Sequence, residues 1–377
     1  SLESLSNINK RNTLMTIHKP FKAKAHLLKL LGDELIGDDR LAIFELVKNS
    51  YDADATTVEV ILNIANSSIV VHDNGSGMDE NTVLSKWMEI GTDSKRKDNR
   101  KRSPKFGRLP LGEKGVGRLA VHKLGSELLI NTKSQSHNEI RIHIDWPKLI
   151  DNAQYIEDTK IFVDVLEKPE IFINEQTGTR IEIRDLNNKN WNRGEIRRLK
   201  RLLSSLTSPF TGVSDFKVNL TIPSREKDLI DVLESEDVID RAIWRYDFFI
   251  DENASFTYSY VFNPPSMFKG INSTKDEKTI SLELVKPTQE ENQARLDVNK
   301  EKLLLKKDDL NNIGPISGTF YIYLREKEVL NALGAFQDIR NYLDEQTGVR
   351  IYRDGIRVFN YGEPGEDWLG LHIGRIN

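Results

Sequence analysis

The sequence contains no cysteine among its 377 residues. Disulfide bonds, thiolate metal sites and cysteine nucleophiles are therefore excluded. No stretch approaches the roughly 18 consecutive apolar residues that a membrane-spanning helix requires, and the first residues lack the apolar core of a secretion signal. We therefore expect a cytoplasmic protein that does not enter a membrane. Because the chain begins without methionine and stops without a clear terminal element, we also expect it to be a piece trimmed from a longer protein.

The charges of the chain are nearly balanced. Charged residues make up 30% of the sequence, and the formal net charge is −4. Such a balance is ordinary for a soluble surface and does not by itself indicate a nucleic-acid partner. From the usual size of domains, the length predicts two or three domains.

The spacing of apolar residues changes along the first half of the chain. Residues 41–51 have a helical spacing, whereas residues 57–63 alternate as a strand and 68–72 form a short β-branched run. Further strands are indicated over 127–146 and 179–184. The alternation of the two periods predicts a mixed α and β domain with a mainly antiparallel sheet.

Changes in composition predict the domain boundaries. Residues 1–21 are an irregular polar lead-in, and the first domain is expected over 22–215. An acidic interval over 216–240 is interpreted as a linker, and strands and helices over 241–377 predict a second α/β domain. The overall fold class is therefore α+β.

Three polar residues share one face of the helix predicted over 41–51. Glu45, Asn49 and Asp52 follow one another at spacings of four and three residues, which places them on the same side. This face is either the solvated side of an amphipathic helix or a site for a cation and a phosphate. In the second case, the Asn49 amide would offer its oxygen to Mg²⁺. Glu45 would orient or deprotonate a water aimed at a γ-phosphate.

An acidic residue followed by glycines marks the end of the second strand. Asp73 precedes Asn74, Gly75, Ser76 and Gly77. The segment is either a plain turn or a recognition element for a base. In the latter, Asp73 would accept a hydrogen bond from an adenine amino group, and the glycines would let the backbone approach the flat base.

Two further short motifs fit a nucleotide site. Residues 112–117 carry three glycines and run into a predicted helix, whose first N–H groups can bind phosphates. The motif is neither a P-loop nor a dinucleotide fingerprint. Thr179 follows Gly178 at the start of a strand, where its hydroxyl would complete base recognition through water.

The interval 79–111 is polar and basic, and it predicts a mobile lid. Its cations are Lys95, Arg96, Lys97, Arg100, Lys101, Arg102, Lys105 and Arg108, and a basic helix over 193–201 adds Arg193, Arg197, Arg198, Lys200 and Arg201. These cations serve either a nucleic-acid backbone or, partly, the phosphates of ATP. Because they lack interleaved aromatic residues for base stacking, we favour a solvated lid.

Taken in order, these motifs resemble the GHKL ATPase superfamily. It includes gyrase B-type topoisomerases, heat-shock chaperones of the ninety-kilodalton class, histidine kinases and MutL-type proteins. The resemblance covers roughly residues 25–210. It implies a Bergerat-type α/β sandwich that binds ATP and Mg²⁺, followed by a second, transducer-like α/β domain.

The resemblance also implies site residues. Glu45 matches the general base, and Asn49 matches the ligand of Mg²⁺. The remaining nucleotide-binding residues that match are Asp52, Ala53, Asp73, Gly75, Gly77, Met78, Lys95, Gly112, Lys114, Gly115, Val116, Gly117 and Thr179.

Within the superfamily, Glu45 and its surroundings look more like the MutL, MORC and chaperone hydrolases than the histidine kinases. This implies an ATP-gated clamp that forms a homodimer and acts on a DNA or protein client. A signalling module of the histidine-kinase type and a heat-shock-chaperone-like ATPase are the alternatives. In the hydrolase branch the second domain supplies a cation to the γ-phosphate, for which Arg350, Arg353 and Arg357 are candidates.

Overall fold

The computed structural model describes residues 22–27, 30, 38–88, 102–111, 120–209, 215–265, 267–281, 308, 310–311, 314–334, 336–346 and 348–358. Contacts divide the chain into two units. The first unit takes the described residues up to Leu203 and those from Asp215 to Leu229. The second takes residues 204–209 and the described residues from Ile230 onwards. The chain therefore enters the second unit, returns to the first and leaves it again.

The first unit is built on a seven-stranded sheet. Its strands are β1 (Thr57–Asn63), β2 (Ser68–Asp73), β3 (Gly125–Lys133), β4 (Ile140–Asp145), β5 (Phe162–Val165), β6 (Gly178–Leu186) and β7 (Lys217–Thr221). They lie in the order β5-β4-β3-β6-β2-β1-β7. All neighbours are antiparallel except β1 and β7, which are parallel. The predicted mixed fold with a mainly antiparallel sheet is confirmed.

One face of this sheet is apolar, because successive side chains of a strand point to opposite sides. Asp73 belongs to the apolar face, since it lies opposite Val58 in the register of β1 and β2. The opposite face is polar and carries ion pairs such as Arg180–Glu182. The buried residues of the apolar face include Val58, Val60, Leu62, Ile69, Val71, Leu128, Ile130, Ile142, Ile144 and Ile183.

Helices cover the apolar face. In the described part of the first unit they are α1 (Asp39–Asp52), α2 (Glu80–Thr82), α3 (Ala120–Leu124), α4 (Trp146–Asp151) and α5 (Arg193–Ser204). Helix α1 packs on β2 and on α3, whereas α3 packs on β3 and β6 and α4 packs on β3 and β4. The resulting architecture is a two-layer α/β sandwich.

The structure differs from the predicted linker over 216–240. Strand β7 lies inside this interval and pairs with β1 at the edge of the sheet. Its sequence is too short to be recognised as a strand, and its conformation depends on β1, which lies far earlier in the chain. The same interval also contains α6 (Ser235–Ile239) of the second unit.

Arg108 also departs from expectation, because its position in the basic lid predicts a solvated cation. The side chain is only 4% exposed. Its guanidinium donates to the backbone oxygens of Tyr51 (3.1 Å) and Ala55 (2.7 Å), and to both the backbone oxygen and the carboxylate of Asp215. It also lies over the ring of Tyr51, at 4.3 Å from the centroid. Arg108 therefore ties residues 102–111 to the end of α1.

We expect Arg108→Met to destabilise the first unit by about 2–3 kcal/mol, because it removes the side-chain donor to the backbone oxygen of Ala55 and to Asp215. The measurement is urea unfolding of the chain followed by intrinsic fluorescence. Arg102→Met is the matched control, since Arg102 is exposed in the same segment, and its effect should stay within about 0.5 kcal/mol. Equal effects of the two substitutions would contradict a structural role for Arg108.

The second unit contains a four-stranded antiparallel sheet. Its strands are β8 (Trp244–Ile250), β9 (Ser255–Phe262), β10 (Thr274–Ser281) and β11 (Ile316–Ile322), in the order β10-β9-β8-β11. Aromatic side chains stack across the strands, as in the pairs Trp244–Phe262 (4.7 Å) and Tyr246–Tyr258 (5.4 Å between centroids). The sheet is thus an additional β structure, distinct from the seven-stranded sheet of the first unit.

A small helical core and a hairpin complete the described part of this unit. Helices α7 (Lys327–Ala332) and α8 (Phe336–Glu345) pack with α6 around Val238, Leu330, Ile339 and Leu343. Strands β12 (Ile351–Arg353) and β13 (Ile356–Val358) form an antiparallel hairpin. Among the described residues, no helix is both long enough and apolar enough to span a membrane.

One candidate for contacting a γ-phosphate is buried. Arg357 has no exposed surface, and its guanidinium donates to the hydroxyl of Ser205 at 3.1 Å. This burial does not fit the expectation that Arg357 meets a ligand. Arg350 donates to the backbone oxygen of Glu345 at 3.4 Å, whereas Arg353 is exposed.

Candidate functional site

Helix α1 presents the predicted polar face. Its N-cap is Asp38, whose side chain accepts from the backbone N–H of Arg40 at 2.8 Å. Most residues of the helix are buried, whereas Glu45, Asn49 and Asp52 are partly exposed. The i, i+4, i+7 spacing therefore places these three side chains on one side of the helix.

Asp73 is buried at the end of β2, with only 5% of its surface exposed. Its Oδ1 accepts from the backbone N–H groups of Gly75 (2.9 Å) and Thr179 (3.1 Å), and its Oδ2 accepts from the hydroxyl of Ser50 (2.8 Å). Burial raises the pKa of Asp73 above its usual value, while these hydrogen bonds oppose the rise. A carboxylate offers about four acceptor positions. The described residues occupy three, so one position on Oδ2 has no donor among them.

The turn after Asp73 needs its glycines. Gly77 has a φ of 62°, and a Cβ there would lie 2.0 Å from the backbone oxygen of Lys133. At Gly75 a Cβ would lie 2.7 Å from the backbone oxygen of Ala53. The same oxygen of Ala53 accepts from the N–H of Ser76 at 2.7 Å. The turn is therefore held against the end of α1 by close backbone contact.

Thr132 joins the elements around Asp73, and no local motif of the sequence predicted this role. Its hydroxyl is fully buried and donates to the backbone oxygen of Gly178 (3.1 Å) while accepting from the N–H of Met78 (2.9 Å). The hydroxyl of Thr179 lies 3.0 Å away. Either hydroxyl of this Thr132–Thr179 pair can be the donor.

We expect Thr132→Val to weaken ATP binding about 10-fold and to cost about 1–3 kcal/mol of stability, since it leaves buried polar groups of Met78 and Gly178 unsatisfied. Calorimetric titration with ATP and thermal unfolding measure the two effects. Thr132→Ser keeps the hydroxyl and is the matched control, which should bind ATP nearly as well as the original chain. An unchanged affinity in the valine variant would show that this network does not support the site.

Two carboxylates fix the described end of the predicted lid to α1. The N–H of Leu111 donates to Asp52 at 2.8 Å, and Asp54 accepts from the hydroxyl of Ser103 and the N–H of Lys105 (2.9 Å). Asp52 was expected to bind the nucleotide, and here it anchors the residue just before the predicted phosphate motif. The predicted residues Lys95, Gly112, Lys114, Gly115, Val116 and Gly117 lie outside the described residues.

The basic helix α5 does not present its cations as a patch. Arg197 and Arg201 are buried, and Arg198 pairs with Glu195 at 2.6 Å. Two of the cations that the helix would need as a nucleic-acid surface are therefore not on the surface. A cavity of about 680 Å³ lies elsewhere in the first unit, and its lining contains none of the predicted site residues.

Reasoning from the sequence also missed Ser50, whose hydroxyl donates to Asp73. The feature that could have indicated this role is a small hydroxyl residue at a buried position of α1. Lys48, one turn after Glu45, was missed as well. Its ammonium lies 2.8 Å from the Glu45 Oε1 atom. Among the described residues, no group of three or more histidine or acidic side chains is arranged to hold a metal ion.

The fold and the site define an α/β sandwich with a buried aspartate beside a helix that carries a glutamate and an asparagine. Residues 40–179 match the model of a family described as histidine kinase-, DNA gyrase B-, and HSP90-like ATPase. The matched range contains Glu45, Asn49 and Asp73 and ends at Thr179. Over these residues the first unit is thus similar to GHKL-type ATPase domains.

A curated protein of Herpetosiphon aurantiacus, named "Putative type II restriction enzyme HgiDII", is 43% identical to the chain over 77 residues. The aligned stretch covers 20% of this chain and 12% of that protein. The chain therefore matches only a small part of this relative's length.

Proposed function

We propose that the first unit binds ATP together with Mg²⁺ and hydrolyses it. The observation that carries the proposal is the environment of Asp73, a buried carboxylate with three donors from the protein and one acceptor position left over. An adenine amino group supplies the missing donor. The turn that follows is held in place by close contact of Gly75 and Gly77 with the backbone of Ala53 and Lys133.

The residues of α1 support the hydrolytic part of the proposal. The partly exposed Asn49 offers an amide oxygen, the ligand type that Mg²⁺ prefers, and Mg²⁺ usually takes only one or two protein ligands beside phosphates and waters. Once bound, the ion would neutralise charge on the phosphates. Glu45 is one helical turn away and is partly exposed, so it is the group that would accept the proton of an attacking water.

The wider role that we propose is an ATP-gated clamp of the hydrolase branch. ATP would order the lid over 79–111 and bring two copies of the chain together, and hydrolysis would release them. The second unit would act as the transducer-like domain. Its bounds are those of the second unit and not the boundary predicted near 216–240. Because the aligned relative bears the name of a restriction enzyme, DNA is the client to test before a protein client. A cytoplasmic setting fits this role.

Phosphate release from ATP by the purified chain tests the proposal, measured with Mg²⁺ and with excess EDTA. We expect release that depends on Mg²⁺. ATP labelled in its γ-phosphate separates the alternatives, because free phosphate supports hydrolysis whereas a labelled protein supports a signalling module of the histidine-kinase type. Light scattering with a non-hydrolysable ATP analogue should show a dimer. Absence of both nucleotide binding and phosphate release would refute the proposed function.

A further inference from the structure

The ion pair between Lys48 and Glu45 is unusual for a pair within one helix. Its Nζ–Oε1 distance is 2.8 Å. Lys48 is only 6% exposed, whereas the Glu45 side chain is 25% exposed. Lysines are almost never buried without a partner, so the buried ammonium holds the carboxylate from the protein side, and the carboxylate faces outwards.

The contact involves only one oxygen of Glu45. Lys48 bonds Oε1, and no hydrogen bond to Oε2 is formed by the described residues. A glutamate side chain has three rotatable bonds, so a free one would sample many positions. Holding Oε1 fixes the rotamer and leaves Oε2 as the proton acceptor. Small errors in the position of a reacting group are costly for catalysis.

We propose that Lys48 is a positioning residue that holds Glu45 in place for water activation, a proposal that rests on the proposed function. In the step itself, a water gives a proton to Oε2 of Glu45 while its oxygen bonds to the γ-phosphorus. The bond from that phosphorus to the β,γ-bridging oxygen breaks, and its electron pair leaves with ADP. Glu45 then returns the proton to solvent. Lys48 exchanges no proton and acts only through Glu45.

A graded series of substitutions tests the role of Lys48. Lys48→Met removes the donor, Lys48→Gln keeps a neutral donor, and Lys48→Arg keeps a charged one. We expect kcat to fall at least 10-fold in the methionine variant, to fall less in the glutamine variant and to recover largely in the arginine variant. The KM for ATP, and the Kd for a non-hydrolysable analogue, should stay within about twofold, because Lys48 is not expected to touch the nucleotide.

Lys148→Met is the matched control. Lys148 also pairs with a carboxylate three residues earlier, Asp145 at 2.7 Å, but it is exposed and lies in α4. Its loss should leave kcat and Kd unchanged. Thermal unfolding of each variant shows whether a loss of activity comes from unfolding or from lost positioning of Glu45. If the methionine variant does not fold, the glutamine and arginine variants still test the proposal.

The double variant Glu45→Gln with Lys48→Met shows whether Lys48 acts through Glu45. If it does, the double variant is no slower than Glu45→Gln alone. A further loss in the double variant would overturn the proposal, and so would a kcat for Lys48→Met equal to or above that of the original chain. Failure of the proposed function looks different: the original chain itself would release no phosphate, or Glu45→Gln would keep its full rate.

Discussion

Asp73→Asn is expected to reduce the affinity for ATP at least about 100-fold, equivalent to about 3 kcal/mol, while the protein stays folded. The Oδ1 atom of the asparagine can still accept from Gly75 and Thr179. Its amide nitrogen takes the place of Oδ2. There it donates to the hydroxyl of Ser50, which in turn donates to the backbone oxygen of Leu46. The adenine amino group then meets a donor where it needs an acceptor.

The stability of Asp73→Asn, unlike its affinity for ATP, should not fall. Because burial raises the pKa of Asp73 in the folded state, the protonated form of this carboxyl favours folding. That stabilisation is complete below the pKa of the unfolded chain and is lost as the pH rises through the folded-state pKa. At neutral pH the original chain therefore carries a cost that the neutral asparagine avoids.

We thus expect the Tm of Asp73→Asn to equal or exceed that of the original chain at pH 7. The difference should shrink as the pH falls towards about 3.9, the usual pKa of aspartate. Calorimetric titration and thermal unfolding on one preparation measure affinity and Tm together. A Tm several degrees lower would mean that binding was lost through unfolding, and an unchanged affinity would remove Asp73 from the site.

Glu45→Gln is expected to abolish most turnover, with a loss in kcat of at least about 100-fold, the usual contribution of a positioned general base. Nucleotide affinity should stay within about twofold, because the amide keeps the shape of the side chain and Glu45 is assigned to the water rather than to ATP. Single-turnover phosphate release and titration with a non-hydrolysable analogue measure the two quantities.

Glu59→Gln is the control for this substitution. Glu59 is an exposed carboxylate on the polar face of the sheet, so its loss should leave both kcat and Kd unchanged. Full turnover in Glu45→Gln would assign proton acceptance to another group. A parallel loss of affinity and kcat would instead indicate that Glu45 contributes to nucleotide binding.

The parts of the site that sequence reasoning predicted depend on local spacing. Helical periodicity puts Glu45, Asn49 and Asp52 on one face whatever the rest of the fold does. Asp73 is recognisable because a strand ends there and glycines follow. The hairpin around Asp354 and Gly355 depends on local sequence in the same way, since a two-residue turn is a local property.

The parts that were missed depend on pairing between distant segments. Thr132 gains its role only because β3 lies beside β6, and Arg108 is buried only because Asp215 returns to the end of α1. Neither contact has a signature in the local sequence. The apolar spacing over 327–343 is helical throughout, but α7 ends before Gly334, which has a φ of 80°. The apolar spacing continues past this glycine, so the spacing alone does not predict that the helix ends there.

The return of the chain through β7 makes the first unit discontinuous in sequence. A fragment that ended with the family match or at Leu203 would lack β7 and would expose the edge of β1, whose unpaired backbone groups promote aggregation. The excursion over 204–209 is equally needed by its own unit, because Thr207 pairs with Ile356 there. The two units are therefore interleaved in sequence, and recombination at any one of these junctions would leave at least one of them incomplete.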